Sequence, residues 1–340
     1  MSELILIANA GDGTISTLRL HREPRPRLEV LATSADVPGC GTFAVDSQRD
    51  LVYAAYKGEQ PGICTLRLNR ETGELSEVSR AAVSDSLAYL SLAAGGRALL
   101  GASYGGGFGA VWPVEDGRLG EPHSRFEYRN LHCIVADDAV DTDRVYAVSL
   151  GDDLLAQFAM DEDGRLSPLD PPTIAAPKGC GPRHLVVDGD NAYVMTEFSG
   201  RAIRYDVHPH GILEEAEAID TVDPSAGLQH SELGADPQEE PLVWGADVHR
   251  AGAYLITSER NSSRLTVTRL TDDGELGEIV GYTDTESVPR GFGVSPDGRF
   301  VIAVGEESTF AQLLELDADG RLEQLDRVEI GEGANWVRWV

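Results

Sequence analysis

His132, Arg183, Glu197 and Arg260 are the residues of this chain best suited to chemistry on a small anion. A guanidinium presents a planar fork that meets a carboxylate or phosphate with two parallel hydrogen bonds. A carboxylate or an imidazole within hydrogen-bond reach of a water can deprotonate it. Two guanidiniums, one carboxylate and one imidazole therefore make an anion-binding and proton-transfer set. Other routes to catalysis are missing: the chain has no P-loop, no GxSxG elbow and no HExxH pair. Gly105-Gly106-Gly107 follows a strand-like stretch and opens no helix, so it reads as a turn and not as a phosphate cradle.

These residues lie far apart in the chain, and a repeat supplies the fold that gathers them. An apolar strand, a turn built on Gly and a Leu opening the next strand recur at Thr72–Leu75, Asp116–Leu119, Asp163–Leu166, His210–Leu213, Asp273–Leu276 and Asp319–Leu322. The glycines stand 44, 47, 47, 63 and 46 positions apart. A period near 46 with four strand-like stretches per repeat predicts an all-β, seven-bladed β-propeller with four antiparallel strands per blade. The blade strands are named A to D from the central channel outward. The N-terminus opens on a B-type strand (Leu4–Ala10), and the C-terminus ends on a lone A-type strand (Asn335–Val340). Joined, they complete one blade and close the ring without free sheet edges. Residues 1–340 are expected to form one domain, with an insertion at about 224–244 that accounts for the 63-residue step. Its His230 and Trp244 either cover the channel mouth or belong to a plain surface loop.

In an antiparallel A–B hairpin, the start of A and the end of B share an edge. The A starts offer Tyr89, His132, Arg183, His184, Asp247 and Arg290 to that rim; the B ends offer Tyr56, Tyr104, Asp152, Glu197, Glu259, Arg260 and Glu306. His132, Arg183, Glu197 and Arg260 fall in consecutive blades 4, 5 and 6. Structural readings stand beside the catalytic one. Arg183 and Glu197 form a salt bridge, His132 is a core histidine, and strand alternation turns His184 to the face opposite Arg183. Asp247 and His249 share a face but lack a third ligand at useful spacing, so no metal site is expected.

The net charge is −29, from 57 acidic and 28 basic residues, and such a surface repels nucleic acid and anionic lipid. Only Lys57 and Lys178 are lysines. A GC-rich genome and a salt-adapted surface both account for this bias. High negative charge favours a monomer. Cys40, Cys64, Cys133 and Cys180 lie in no CxxC pair and read as reduced packing residues. Residues 1–20 carry strand pattern in place of a basic start and an apolar core, which leads to the expectation of a cytoplasmic protein.

Several phrases resemble the seven-bladed propeller lactonase family, which includes the bacterial propeller type of 6-phosphogluconolactonase and the fungal carboxymuconate lactonizing enzyme. They are Gly181-Pro182-Arg183-His184-Leu185, Met195-Thr196-Glu197-Phe198, Ser258-Glu259-Arg260, Pro289-Arg290-Gly291-Phe292, Ser295-Pro296-Asp297-Gly298-Arg299-Phe300 and Ser103-Tyr104-Gly105-Gly106-Gly107. The resemblance runs over nearly the whole chain. It implies hydrolysis of a sugar-acid lactone, such as 6-phosphogluconolactone, without a cofactor. Carried over residue by residue, the family's site falls on His132, Arg183, Glu197 and Arg260. Glu197 is expected to activate water and His132 to protonate the leaving ring oxygen, or the two exchange roles. Arg183, Arg260, His184, Tyr104 and Arg290 are the expected substrate contacts. Thr196 and Glu259 stand where the family usually has Asn, and a carboxylate beside Arg260 would weaken its hold on an anion. A lactone-forming cycloisomerase and a non-catalytic ligand-binding or scaffold ring remain as alternatives.

Overall fold

The glycine of the repeated Gly-x-Leu phrase is a conformational requirement before it is a fold signal. Gly73, Gly117, Gly164, Gly211, Gly274 and Gly320 all have φ between +75° and +87°, a region that side chains with a Cβ avoid. Each glycine turns the third strand of a blade back into the fourth. Three of these turns also latch blade to blade. Tyr146 OH donates to Gly211 O at 2.8 Å and Tyr193 OH to Gly274 O at 2.6 Å. Tyr254 OH donates to Ala318 O at 2.8 Å. In all three the donor sits on strand B of the preceding blade.

The computed structural model describes residues 3–137 and 144–340. Residues 1–2 and 138–143, which the expected 1–340 span includes, lie outside the described residues. The strands fall into seven sheets. Blade 1 is the composite: Ala334–Trp339 lies beside Glu3–Asn9, followed by Thr14–His21 and Arg27–Ser34. The closing pair is antiparallel, with Ile5 opposite Trp339 and Ile7 opposite Val337. The innermost strands of the other blades are Phe43–Asp46, Tyr89–Ala93, Leu131–Asp137, Pro182–Asp188, Gly245–Ala251 and Phe292–Val294. Each packs on the next, and Phe292–Val294 packs on Ala334–Trp339, so the ring closes. Blade 3 departs from four plain strands. Its outer position is split between Arg118–Leu119 and Ser124–Glu127, both paired with Phe108–Glu115. Gly120 and Pro122 interrupt that edge.

Second strands such as Leu51–Tyr56 and Ala98–Ser103 are buried almost throughout, whereas the outermost strands alternate toward solvent. The core therefore lies between blades. The four cysteines are buried and unpaired. Burial pushes the thiols of Cys40, Cys133 and Cys180 up to about 12, so they are thiols that pack, not nucleophiles.

Trp336 is the largest fully buried side chain, and it comes from the closing strand. Its Nε1 donates to Phe43 O at 2.9 Å in blade 2, and its ring meets Tyr89 edge-on at 5.1 Å. Trp336→Ala is expected to lower unfolding free energy by about 3–5 kcal/mol, read from the denaturant midpoint. A loss below about 1 kcal/mol would mean that the closing strand does not hold the ring.

Candidate active site

One register position recurs around the rim: the first residue beyond strand B. In blades 2, 3, 5 and 6 it is Lys57, Tyr104, Glu197 and Arg260, and all four line one cavity of about 400 Å³. The backbone at this position is pinned to the loop that enters the same blade. Lys57 N donates to Pro38 O at 2.8 Å, Glu197 N to Gly181 O at 2.7 Å and Arg260 N to Trp244 O at 3.1 Å. Short, bonded turns leave these side chains little choice but to face the channel mouth. His132, Arg183 and Arg290 enter from the A-strand starts and line the same cavity. Six residues singled out in the sequence thus share one space.

Glu197 is the hub. Its Oε2 accepts from Arg183 Nε at 2.7 Å and from Arg260 Nη2 at 2.9 Å. The remaining contacts of the arginines fix their orientation. Arg183 Nη1 donates to Ala246 O at 2.7 Å. Arg260 Nε donates to Trp244 O and Nη2 to Gly245 O, each at 3.1 Å, and its guanidinium stacks 3.7 Å from the Trp244 ring centre. Among the described residues, Arg183 Nη2 and Arg260 Nη1 have no hydrogen-bond partner. Each arginine is clamped through part of its fork and keeps one amino group for a ligand. Burial draws the pKa of Arg260 down while Glu197 opposes it; a guanidinium stays cationic at neutral pH.

His132 is buried against Tyr104 and His184, with ring centres at 5.8 and 5.1 Å, and its Nδ1 has no hydrogen-bond partner. Burial first, then Arg183 and His184, push its pKa well below the ordinary histidine value. His132 is thus a neutral imidazole at neutral pH. Of the two roles open to His132, a neutral ring near cations suits the acceptor: it takes a proton before it can give one.

His184 does not reach the cavity, which corrects its place among the substrate contacts. Alternation along Pro182–Asp188 turns it inward. There its Nε2 accepts from Arg183 Nη1 at 3.1 Å and its Nδ1 donates to Asp247 Oδ1 at 2.7 Å. Asp247 Oδ2 in turn accepts from His249 Nε2 at 3.1 Å. Burial and Arg183 hold His184 down to about 3, so it is neutral. Asp247 fixes the tautomer that presents a lone pair to Arg183. Asp247→Asn is expected to cut kcat/KM by roughly 10- to 100-fold, the worth of one hydrogen bond in a charged network, with little change in melting temperature. Wild-type turnover in that variant would leave Arg183 held by Glu197 and Ala246 alone.

Two side chains of the insertion have different fates. Trp244 lines the cavity beneath Arg260, whereas His230 turns to its neighbour's carbonyl, Ser231 O, at 2.7 Å. Glu259 does not compete with an anionic ligand for Arg260, because its carboxylate is turned into its own loop. Its carboxylate accepts from Trp244 N at 2.8 Å, Asn261 N at 3.2 Å, and Ser262 N and Oγ at 2.6 and 2.5 Å. Asn261 Nδ2 also donates to Pro237 O and Leu242 O. The Glu259–Ser262 turn therefore fastens the insertion and delivers Trp244 to the site. Lys57 escaped the sequence reading because Tyr56, the strand end itself, was assigned to the rim; the next residue carries the function-bearing direction. Among the described residues no group of three or more His, Cys, Asp or Glu is placed to hold a metal ion.

Residues 6–339 match the family model described as "Lactonase, 7-bladed beta-propeller". A 6-phosphogluconolactonase of Enterobacter sp. (strain 638) is 28% identical over 344 residues, covering 99% of this chain and 98% of that protein. A 6-phosphogluconolactonase of Serratia proteamaculans (strain 568) is 28% identical over 347 residues, with 99% and 98% covered. The periplasmic gluconolactonase structure of Pseudomonas aeruginosa aligns with a TM-score of 0.86 at 23% identity, over 100% of this chain and 99% of that one.

Proposed function

From a chain that belongs to the seven-bladed β-propeller lactonase family, we propose hydrolysis of an anionic sugar-acid lactone by water attack on its ring carbonyl. One observation carries this reading: Arg183 and Arg260, locked through Glu197, keep unpartnered amino groups in a cavity that also holds the neutral His132. Relatives named 6-phosphogluconolactonase support a phosphorylated aldonolactone as the substrate.

The lactone carbonyl oxygen lies toward Arg183 Nη2 and Arg260 Nη1. His132 takes a proton from the attacking water as its oxygen bonds to the carbonyl carbon. The oxyanion that forms is held by the two guanidiniums, which are already oriented and need no reorganisation. Collapse of this intermediate breaks the bond to the ring oxygen, which takes the proton back from His132. The cations that make His132 a weak base make its imidazolium a strong acid toward that leaving oxygen. The product is an open-chain hydroxy carboxylate, and one proton is released to solvent at neutral pH. Glu197 serves as the counter-charge that positions both arginines. Its Oε2 is occupied by the pair and its charge holds both cations, so we take the exchanged assignment, with His132 as the base.

The surface charge of −29 would repel such a substrate, and the local cations of the cavity reverse the sign where it binds. A side-by-side assay of glucono-δ-lactone, its 6-phosphate and a carboxymuconate tests the reading. Accelerated opening of a gluconolactone with no turnover of the muconate supports it. Lactone formation from the muconate alone would replace it with the cycloisomerase.

A further inference from the structure

Two cations on the far side of the ring from Glu197 take no part in the mechanism above. Lys57 stands at the blade 2 rim, and Arg290 enters from blade 7 and reaches across the composite blade to Gly41, where its Nη1 donates to the carbonyl oxygen at 2.9 Å. One short ribbon makes room for both. Gly39, at φ +61°, lies under the Lys57 stem, where an added Cβ would stand 3.2 to 3.4 Å from its Cβ, Cγ and Cδ. Gly41 lies under the guanidinium, where an added Cβ would stand 3.5 Å from Arg290 Nη1 and 3.8 Å from Nη2.

This arrangement differs from the Arg183–Glu197–Arg260 cluster in one respect: no carboxylate locks it, and its charge is only partly answered, by Glu306. Among the described residues, Lys57 makes no ion pair and no side-chain hydrogen bond, and the one carboxylate within ion-pair distance of Arg290 is Glu306, with Oε1 at 3.8 Å from Nε. Arg290 Nη2 is also without a hydrogen-bond partner. Desolvation and then Arg290 draw the pKa of Lys57 down, and desolvation and then Arg183 draw that of Arg290 down. Like charges held side by side, in a chain with twice as many acidic as basic residues, fit a ligand that brings the missing negative charge. A phosphate monoester carries about −1.5 to −2 at pH 7 and three acceptor oxygens; a carboxylate brings a single charge and two oxygens.

We propose that Lys57 and Arg290 form a phosphate-monoester subsite that holds the end of the lactone remote from its ring carbonyl, while Arg183 and Arg260 hold the reacting end. The subsite rests on the lactonase reading for the chemistry at the other end, and its own test is a binding preference. Calorimetric titration with 6-phosphogluconate and with gluconate, at fixed ionic strength, gives the ratio of the two affinities for the wild type, Lys57→Met and Lys57→Arg. The wild type is expected to prefer the phosphorylated ligand at least tenfold. Lys57→Met should lower that ratio at least tenfold, and Lys57→Arg should restore it to within threefold. The kcat/KM ratio for the two lactones should move in the same way. An unchanged ratio in Lys57→Met, or no preference in the wild type, overturns the subsite. The lactonase reading fails separately: a protein that prefers 6-phosphogluconate through Lys57 but opens neither lactone keeps the subsite and loses the reaction.

Discussion

His132→Gln is expected to lower kcat for lactone opening by roughly a hundred- to ten-thousand-fold, the usual worth of a positioned acid–base group, while the protein stays folded. The fold has little to lose. His132 makes no hydrogen bond among the described residues, and its Nδ1 is already buried without a partner. Its surroundings also set the pH dependence. Because burial and the nearby Arg183 depress its pKa, the reactive neutral ring persists into acid. The acidic limb of kcat/KM should therefore lie well below pH 6.5, with a plateau through neutrality, and His132→Gln should abolish that limb along with most of the rate. A profile that falls near pH 6.5, or a variant with near wild-type kcat, would remove His132 from the proton transfers.

Arg260→Ala is the second large effect. Removing one donor aimed at a developing oxyanion costs roughly 2.7–4 kcal/mol of barrier, a hundred- to a thousandfold in kcat. The wider damage is local. Glu197 keeps Arg183 at 2.7 Å, and Trp244 loses the guanidinium stacked on its ring. Arg260→Lys should recover little, because an ammonium cannot bond Trp244 O, Gly245 O and Glu197 together while leaving a donor free. Both variants should stay folded, since Arg183 still joins blade 5 to blade 6 through Ala246 O. Turnover within threefold of wild type in Arg260→Ala would show that the oxyanion is stabilised elsewhere.

The ring was legible because its turns demand glycine at positive φ, and that demand prints a period on the sequence. The rim rule then found His132, Arg183, Glu197, Arg260, Tyr104 and Arg290, since antiparallel hairpins put A starts and B ends on one edge. It stopped one residue short at Tyr56, and so missed Lys57, whose direction depends on how the turn after the strand is bonded. His184 shows the converse. Alternation already turned it inward, and its partner Asp247 lies 63 residues away, a distance that only the packing of blade 5 on blade 6 closes. Glu259 looked like a competitor of the substrate for Arg260 because sequence gives adjacency without direction; four donors from its own turn and the insertion hold it aside. The split outer strand of blade 3 was hidden because the repeat marks turns and says nothing of edge breaks.

A continuous indicator assay of acid release from fresh 6-phosphoglucono-δ-lactone, comparing wild type with Glu197→Gln, decides whether this cavity is a lactonase site. Gln keeps the size of the hub and removes the charge that locks both arginines. Wild-type opening well above the spontaneous rate, falling at least a hundredfold in the variant, is the outcome expected of two oriented oxyanion donors. Acid release at the spontaneous rate with wild-type protein, on both the phosphorylated and the free lactone, would contradict it.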